Sequence, residues 1–455
     1  MTLRQPPALT ESRPTPRQMT AADSAMIGSQ PVSVGTSPVL PGVGGNGKQA
    51  YIFSSGCVRR ALDMTRIHEY LVRNGWSLTD SVPKANLIMI STCGAVEKTE
   101  RLSLAAIEEI TKKRSPSAQV IITGCLPNIH RERIAALGDF LYVPVRDLES
   151  LDEMLQAQVR WESVPDANML TEQGGIRDFI FAYRLFRSSP LLLRLVGGVS
   201  TNRMFLKCSL RLSRTGTTIK SLLRWTPRKK IVPYFNLRIA EGCVSGCTYC
   251  AIRFATGKLK SKPEEVILQE FREGLKAGYR IFQLVAEDTG CYGRDIGTNI
   301  TSLLCKLLAV PGDYRLVVID FNPQWIVRYY EELLPLLREH RSKIAEWFVP
   351  IQSGSNRILK AMRRPYDIED VTQKLVSLRQ EMPEVIWRTT VIIGFPGETQ
   401  EDHEQTKEVI RRLAFAEVEL DKYEDRPGTK SSRMPDKIPP AEIERRYDEL
   451  RKISR

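Results

Sequence analysis

Glu241-Gly-Cys-Val-Ser-Gly-Cys-Thr-Tyr-Cys250 sets three thiols, Cys243, Cys247 and Cys250, at a C-x3-C-x2-C spacing. Three thiolates are one fewer than the four that ordinarily close an iron–sulfur cluster. A [4Fe-4S] cube held by them keeps one iron free of protein ligands and open to chelation by a small molecule. A structural zinc knuckle is the alternative, but such sites pair one C-x2-4-C with a second Cys or His pair. No second pair follows within the next forty residues, and the chain has only 4 His.

Outward from this stretch the chain reads as α/β on both sides. Strand-like runs at 236–239, 281–285, 316–319, 347–351, 386–393 and 418–420 alternate with helical stretches. Upstream, residues 50–53 read as a buried strand, and 61–74 as a helix with Leu62, Ile67, Tyr70 and Leu71 on one face. A strand at 86–91, a helix at 97–113 and a strand at 119–123 complete the pattern. Such alternation predicts a parallel sheet, and ligands of parallel sheets gather beyond the carboxyl ends of the strands. Three more cysteines sit there: Cys57 in Ser-Ser-Gly-Cys, Cys93 in Ser-Thr-Cys-Gly and Cys125 in Thr-Gly-Cys-Leu. The flanking glycines are expected to let the backbone approach a bulky inorganic group. Three buried structural thiols are the plain alternative. The repeated strand-end placement favours ligands of a second cluster, again with an open iron.

The 455 residues allow two or three domains, and 42% hydrophobic with 26% charged residues describe an ordinary globular chain. Nine cysteines, an odd number, with no apolar signal-peptide core favour a reducing, cytoplasmic setting over a disulfide framework. No apolar run reaches the roughly 18 residues of a membrane span. The net charge of +13 is concentrated: residues 179–240 hold thirteen Lys and Arg and no Asp or Glu. That is the footprint of a polyanion partner or of a solvated basic linker. Residues 1–47, with seven Pro and six Gly, read as a disordered extension or a targeting segment. Cys305, within Leu-Leu-Cys-Lys-Leu-Leu, is expected in a helix core, while Cys208 and Cys291 fit neither trio.

Two cysteine trios on successive α/β units resemble the methylthiotransferase branch of the radical S-adenosylmethionine (SAM) superfamily. Four further stretches carry the resemblance, in order. They are Glu287-Asp288-Thr289 with Tyr292-Gly293 and Asp295; Trp347-Phe-Val-Pro-Ile-Gln-Ser-Gly-Ser-Asn with Met362-Arg363-Arg364; Ile393-Gly-Phe-Pro-Gly-Glu-Thr; and Lys422-Tyr423 before Arg426-Pro-Gly-Thr429. The resemblance implies an α/β fold with a Rossmann-like parallel-sheet domain followed by a partial (β/α)6 barrel. It implies two [4Fe-4S] clusters: one on Cys243, Cys247 and Cys250 that cleaves SAM to a 5′-deoxyadenosyl radical, and one on Cys57, Cys93 and Cys125 that handles the sulfur. Gln352, Ser353, Ser355, Gly394 and Glu398 become candidate SAM contacts, and Arg364 and Arg426 candidate contacts to carboxylate or substrate phosphate. Flavodoxin or ferredoxin is the expected type of electron donor. The expected organisation is an extension over 1–47, the first sheet domain over 48–150, a basic interdomain insertion over 151–231, the barrel over 232–425 and a helical tail over 426–455.

The chain departs from the family pattern at points that bear on the substrate. Cys57 is followed by Val58-Arg59-Arg60 where Gln-Met-Asn is usual, and Ser91, Asn128 and Glu424 replace Asn, Gln and Ser. The sequence stops at Arg455, where family members acting on transfer RNA continue into a small RNA-gripping barrel called the TRAM domain. The first substrate expected is a modified adenosine of tRNA, gripped through the basic insertion. A peptide, protein side chain or small metabolite is the second, and a non-catalytic iron–sulfur RNA-binding protein the third.

Overall fold

A computed structural model describes residues 48–166 and 234–454. The extension over 1–47, most of the basic insertion and Cys208 lie outside the described residues.

The first sheet comprises β1 (Gln49–Ser54), β2 (Ser77–Leu78), β3 (Leu87–Thr92), β4 (Gln119–Gly124) and β5 (Leu141–Tyr142), in the order β2-β1-β3-β4-β5. All pairings are parallel, with Ser54 beside Ser91 and Thr92 beside Gly124. The two-residue period of a strand divides its side chains between two cores. Ala50, Ile52, Leu87, Met89 and Ile121 pack under Ile67, Tyr70 and Leu71 of α1 (Val58–Arg73). Tyr51, Ile88, Ile90, Val120 and Ile122 meet Ile107 and Ile110 of α2 (Glu97–Lys113) on the opposite face. Both faces are covered, as a parallel sheet requires. Packing continues beyond residue 150, where the sequence reading ends this unit. Leu151, Met154, Trp161 and Val164 join the α1-side core, and Asp166 Oδ2 pairs with Lys262 Nζ at 2.9 Å.

The second sheet is an open array of six parallel strands. These are β6 (Tyr234–Arg238), then, after a short antiparallel hairpin of β7 (Ala240–Glu241) and β8 (Lys260–Ser261), β9 (Ile281–Val285), β10 (Arg315–Val318), β11 (Ile344–Phe348), β12 (Ile386–Ile393) and β13 (Glu417–Lys422). Their order, β13-β12-β11-β10-β9-β6, leaves the two ends unjoined, so the barrel is partial. Phe235, Leu237, Phe282, Leu284, Leu316, Val318 and Trp347 pack outward beneath the helices, while Asn236, Arg238 and Gln283 alternate with them as buried polar groups. The helix Pro440–Ile453 closes over the β12 side, where Ile443, Tyr447 and Leu450 meet Val391, Ile393 and Ile410.

Candidate functional site

Each member of the first cysteine trio starts where a strand of the first sheet stops. Cys57 stands at the N-terminal boundary of α1, and Ala61 N donates to its carbonyl at 2.9 Å. Cys93 and Cys125 follow the paired residues Thr92 and Gly124, which makes them neighbours across the sheet edge. Cys93 N donates to Ser103 Oγ at 2.9 Å, and Cys125 N to the Thr92 carbonyl at 3.0 Å. Burial pushes the Cys125 thiol well up; Arg60 opposes the shift, and the Cys93 and Cys57 thiolates add to it. Burial and then Cys57 raise Cys93 in the same way. Buried thiols that repel one another are a donor set whose anionic form a cationic metal centre stabilises. The trio fits a cluster.

The neighbouring glycines have another role than the sequence reading assigns. A side chain on Gly56 would meet Arg60 Cβ at 2.3 Å, and one on Gly94 would meet Ile129 Cδ1 at 3.0 Å. Gly124, at φ +94°, lies against the Thr92 backbone, 2.2 Å from its carbonyl oxygen to an added Cβ. Protein, not an inorganic group, fills these spaces.

The second trio occupies the loop between β7 and the helix Ile252–Thr256. Ser245 N donates to Cys243 Sγ at 3.2 Å, and Arg364 Nη1 lies 3.7 Å from Cys247 Sγ. Burial pushes Cys250 up to about 11, and the Cys247 thiolate adds to the shift. N–H groups and a guanidinium directed at sulfur stabilise thiolates, so this loop also fits a cluster. A residue left unassigned by the sequence joins it. Cys291 Sγ, Cys243 Sγ and an Asp288 carboxylate oxygen lie within 4.8 Å of one another. The Cys291 thiol donates to the Asp288 carbonyl at 3.1 Å, and its closeness draws the Cys243 pKa down against burial. Cys291 follows the end of β9, a placement shared with the first trio that was available in the sequence. Cys305, in contrast, is exposed, because Leu303, Leu304, Leu307 and Leu308 supply the buried face of its helix.

Among the candidate SAM contacts, Gln352 alone keeps a buried polar atom free. Its backbone, at φ +66°, is bound to β12 through Thr390 O and Ile392 N, while Oε1 has no hydrogen-bond partner among the described residues. The Ser355 hydroxyl caps the helix Asn356–Ala361 and donates to Asp402 Oδ1 at 2.6 Å; Ser353 Oγ accepts from Ser355 N at 3.2 Å. Gly394, at φ +79°, leaves room for Ile443 and donates its N–H to Glu398 Oε2 at 2.9 Å. That carboxylate also accepts from Arg446 Nη1 at 2.8 Å. Arg364 donates to Pro350 O at 2.5 Å and to Tyr366 Oη at 3.2 Å, beside Cys247 rather than toward solvent. Arg426 donates to Gly94 O at 2.8 Å and pairs with the fully buried Glu100. Both arginines are 4–6% exposed and bound to protein acceptors, while Arg426 Nε has no hydrogen-bond partner among the described residues.

Every cysteine loop of the first sheet touches the carboxyl end of the barrel. Next to Cys57, Arg59 Nη1 donates to Ala286 O at 2.9 Å and Asp320 Oδ2 at 2.8 Å, at the ends of β9 and β10. Beside Cys93, Gly94 receives Arg426, and Glu97 N donates to Glu424 Oε2 at 2.5 Å. Cys125 and Ile129 share one apolar cluster with Ala251 and Ala255, which immediately follow Cys250. The loops that carry the two trios therefore lie along one interface.

Comparison with known proteins follows the same division. Residues 237–410 match the Radical SAM superfamily, and residues 49–143 match an uncharacterized protein family, UPF0004. The chain is 30% identical over 389 residues to a probable threonylcarbamoyladenosine tRNA methylthiotransferase of Pyrococcus horikoshii, covering 84% of this chain and 78% of that one. It is 27% identical to the ribosomal protein uS12 methylthiotransferase RimO of Protochlamydia amoebophila, covering 90% and 77%. In fold it is similar to the radical SAM methyltransferase TsrM of Kitasatospora setae, with a TM-score of 0.53 at 13% identity over 85% of this chain and 77% of that one. With both halves matched and both cysteine trios present, the chain is a radical-SAM enzyme and belongs to the methylthiotransferase family.

Proposed function

We propose that this enzyme inserts a methylthio group at an unactivated C–H bond of a modified adenosine in tRNA, using two [4Fe-4S] centres. The supporting observation is the convergence of the Cys57, Cys93 and Cys125 loops on the barrel end that carries Cys243, Cys247 and Cys250. Cys243, Cys247 and Cys250 would hold a cluster that, with SAM, would supply the radical chemistry needed at an unreactive carbon. The protein's part is placement. Arg364 and the Ser245 N–H stabilise thiolate at Cys247 and Cys243, and Gln352 Oε1 offers SAM a buried acceptor. The packing of Ile129 and Cys125 on Ala251 and Ala255 excludes water between the centres. In this reading residues 48–150 carry the sulfur-handling centre, 232–425 the radical centre and 426–455 a helical buttress. The basic segment within 151–231 grips the RNA. The setting is cytoplasmic, and a flavodoxin- or ferredoxin-type donor supplies electrons. Among the described residues no helix is long and apolar enough to cross a membrane.

The tRNA target is supported by the named activity of the Pyrococcus relative and by the basic segment. A protein side chain is the second reading, supported by the likeness to RimO along 90% of the chain. Mass spectrometry of bulk tRNA and of ribosomal proteins from a deletion strain separates them. Loss of a methylthio-adenosine is the expected result, whereas unchanged tRNA with loss of a methylthio group from a protein overturns the first reading.

A further inference from the structure

Two arginines, Arg59 and Arg60, follow Cys57 by two and three residues, and the fold turns both inward. Arg60 is 3% exposed and its Nε has no hydrogen-bond partner among the described residues. Its stem crosses Gly56 so closely that any side chain there would strike Arg60 Cβ and Cγ. Arg60 Nη1 lies 2.9 Å from Asp63 Oδ2, and Nη2 lies 3.6 Å from Glu287 Oε1. Arg59 reaches the same Glu287 at 3.7 Å and Asp320 at 2.8 Å. Asp63 is itself held at 2.7 Å by Arg238, whose other arm pairs with Glu241. Arg60 lies in the first turn of α1, whose N-terminal boundary is Cys57, and its stem covers Gly56, the residue just before that cysteine, while its guanidinium reaches Glu287 after β9.

We propose that Arg60, backed by Arg59, is a positioning residue for the centre on Cys57, Cys93 and Cys125: a fixed, water-excluded positive charge that raises its reduction potential. The inference rests on the two-centre reading above. Net charge, hydrogen bonds to sulfur and exclusion of solvent set the potential of an iron–sulfur centre. A three-thiolate cluster is anionic and becomes more so on gaining an electron. A buried cation favours that reduced state, and Glu287 behind it moderates the effect.

The test is a potentiometric titration of the anaerobically reconstituted full chain, followed by electron paramagnetic resonance with and without SAM. The transition that responds to SAM belongs to the Cys243 trio, and the other one reports on Arg60. Arg60→Gln should lower the reduced-to-oxidised ratio of that second transition about tenfold at a fixed potential, which is 59 mV for one electron. Arg60→Lys should restore most of the ratio, and Glu287→Gln, which removes a counter-charge but keeps an acceptor, should shift it the opposite way. An unmoved second transition in Arg60→Gln overturns the inference. If Arg60→Gln fails to bind iron, Glu287→Gln decides, and the absence of an upward shift there is equally fatal. A wild-type chain with one transition and about four rather than eight irons would instead overturn the two-centre reading, and this inference with it.

Discussion

Gln352 and Cys291 are buried side chains of the candidate site with different claims on a partner. The Gln352 amide oxygen is buried beside β12 with no donor among the described residues, although its backbone is fixed on both sides by that strand. A buried acceptor without a donor costs about 1–3 kcal/mol, and a ligand that donates to it recovers that cost. Gln352→Ala should therefore weaken SAM binding roughly five- to tenfold while leaving the fold intact, since a hydrogen bond contributes about 1 kcal/mol net. Equilibrium dialysis of the reconstituted enzyme measures it, and unchanged affinity removes Gln352 from the cofactor site. Cys291 poses a different question, because its sulfur lies within 4.8 Å of Cys243 Sγ and so near the roughly 2 Å of a disulfide. In chain stripped of iron, glutathione disulfide should join Cys243 to Cys291. The two thiols give up two protons and two electrons, and the reagent leaves as two glutathione thiols. A linked peptide in the non-reduced digest, absent from Cys291→Ala, is the expected outcome; free Cys291 after complete oxidation of Cys243 contradicts it.

Secondary elements carry the loops that surround these residues, and one carboxylate ties several together. Asp402, 4% exposed, accepts from the Thr399 N–H at 2.8 Å and from Ser355 Oγ at 2.6 Å, and pairs with Arg357. It thereby joins the start of the helix Gln400–Leu413 to the Gln352–Ser355 loop. Burial pushes its pKa up, but the bonds from Arg357, Ser355 and Thr399 prevail and hold it at about 2. A depressed carboxylate stabilises the fold fully above its unfolded pKa near 4 and loses that contribution as pH falls toward 2. Asp402→Asn should accordingly cost about 2 kcal/mol in urea unfolding at pH 7, with no change between pH 5 and 8. Elements of this kind were unequally legible in the sequence. Residues 281–285 and 386–393 read correctly as strands because apolar and β-branched residues dominate each over a strand's length, with Gln283 and Arg388 the exceptions. The expected strand at 347–351 lies three residues too late: the observed one ends at Phe348, before Pro350, which has no N–H to give a ladder. β2, β5, β7 and β8 span two residues each and leave no period to detect. The cysteine trios were visible because spacing and strand ends are local properties. Where the long side chains of Arg364 and Arg426 terminate is a tertiary property, and both end on protein acceptors that a linear reading does not supply.

At the scale of the molecule, the proposed two-centre reading requires the two sheets to dock with their carboxyl ends together, and the docking is held by different chemistry at each loop. The Cys125 contact is apolar, through Ile129, Ala251 and Ala255, whereas the Cys93 contact is a buried ionic clasp in which Glu100 binds Arg426, His130 and Arg133. Removing Arg426 alone would leave Glu100, at 0% exposure, with less compensation, and uncompensated buried charge is costly. The paired change Glu100→Gln with Arg426→Met removes the clasp without stranding a carboxylate. Neither residue lies in a cysteine trio, so iron content and reductive SAM cleavage to 5′-deoxyadenosine should persist. Transfer of the methylthio group, which needs both centres in register, should fall at least about tenfold, since a displacement near 1 Å can cost 10²-fold. Comparing 5′-deoxyadenosine with methylthiolated product in the same anaerobic assay reads this uncoupling directly. Parallel loss of both products would mean that the clasp supports the radical centre itself, and retention of both would mean that the apolar contact alone holds the register.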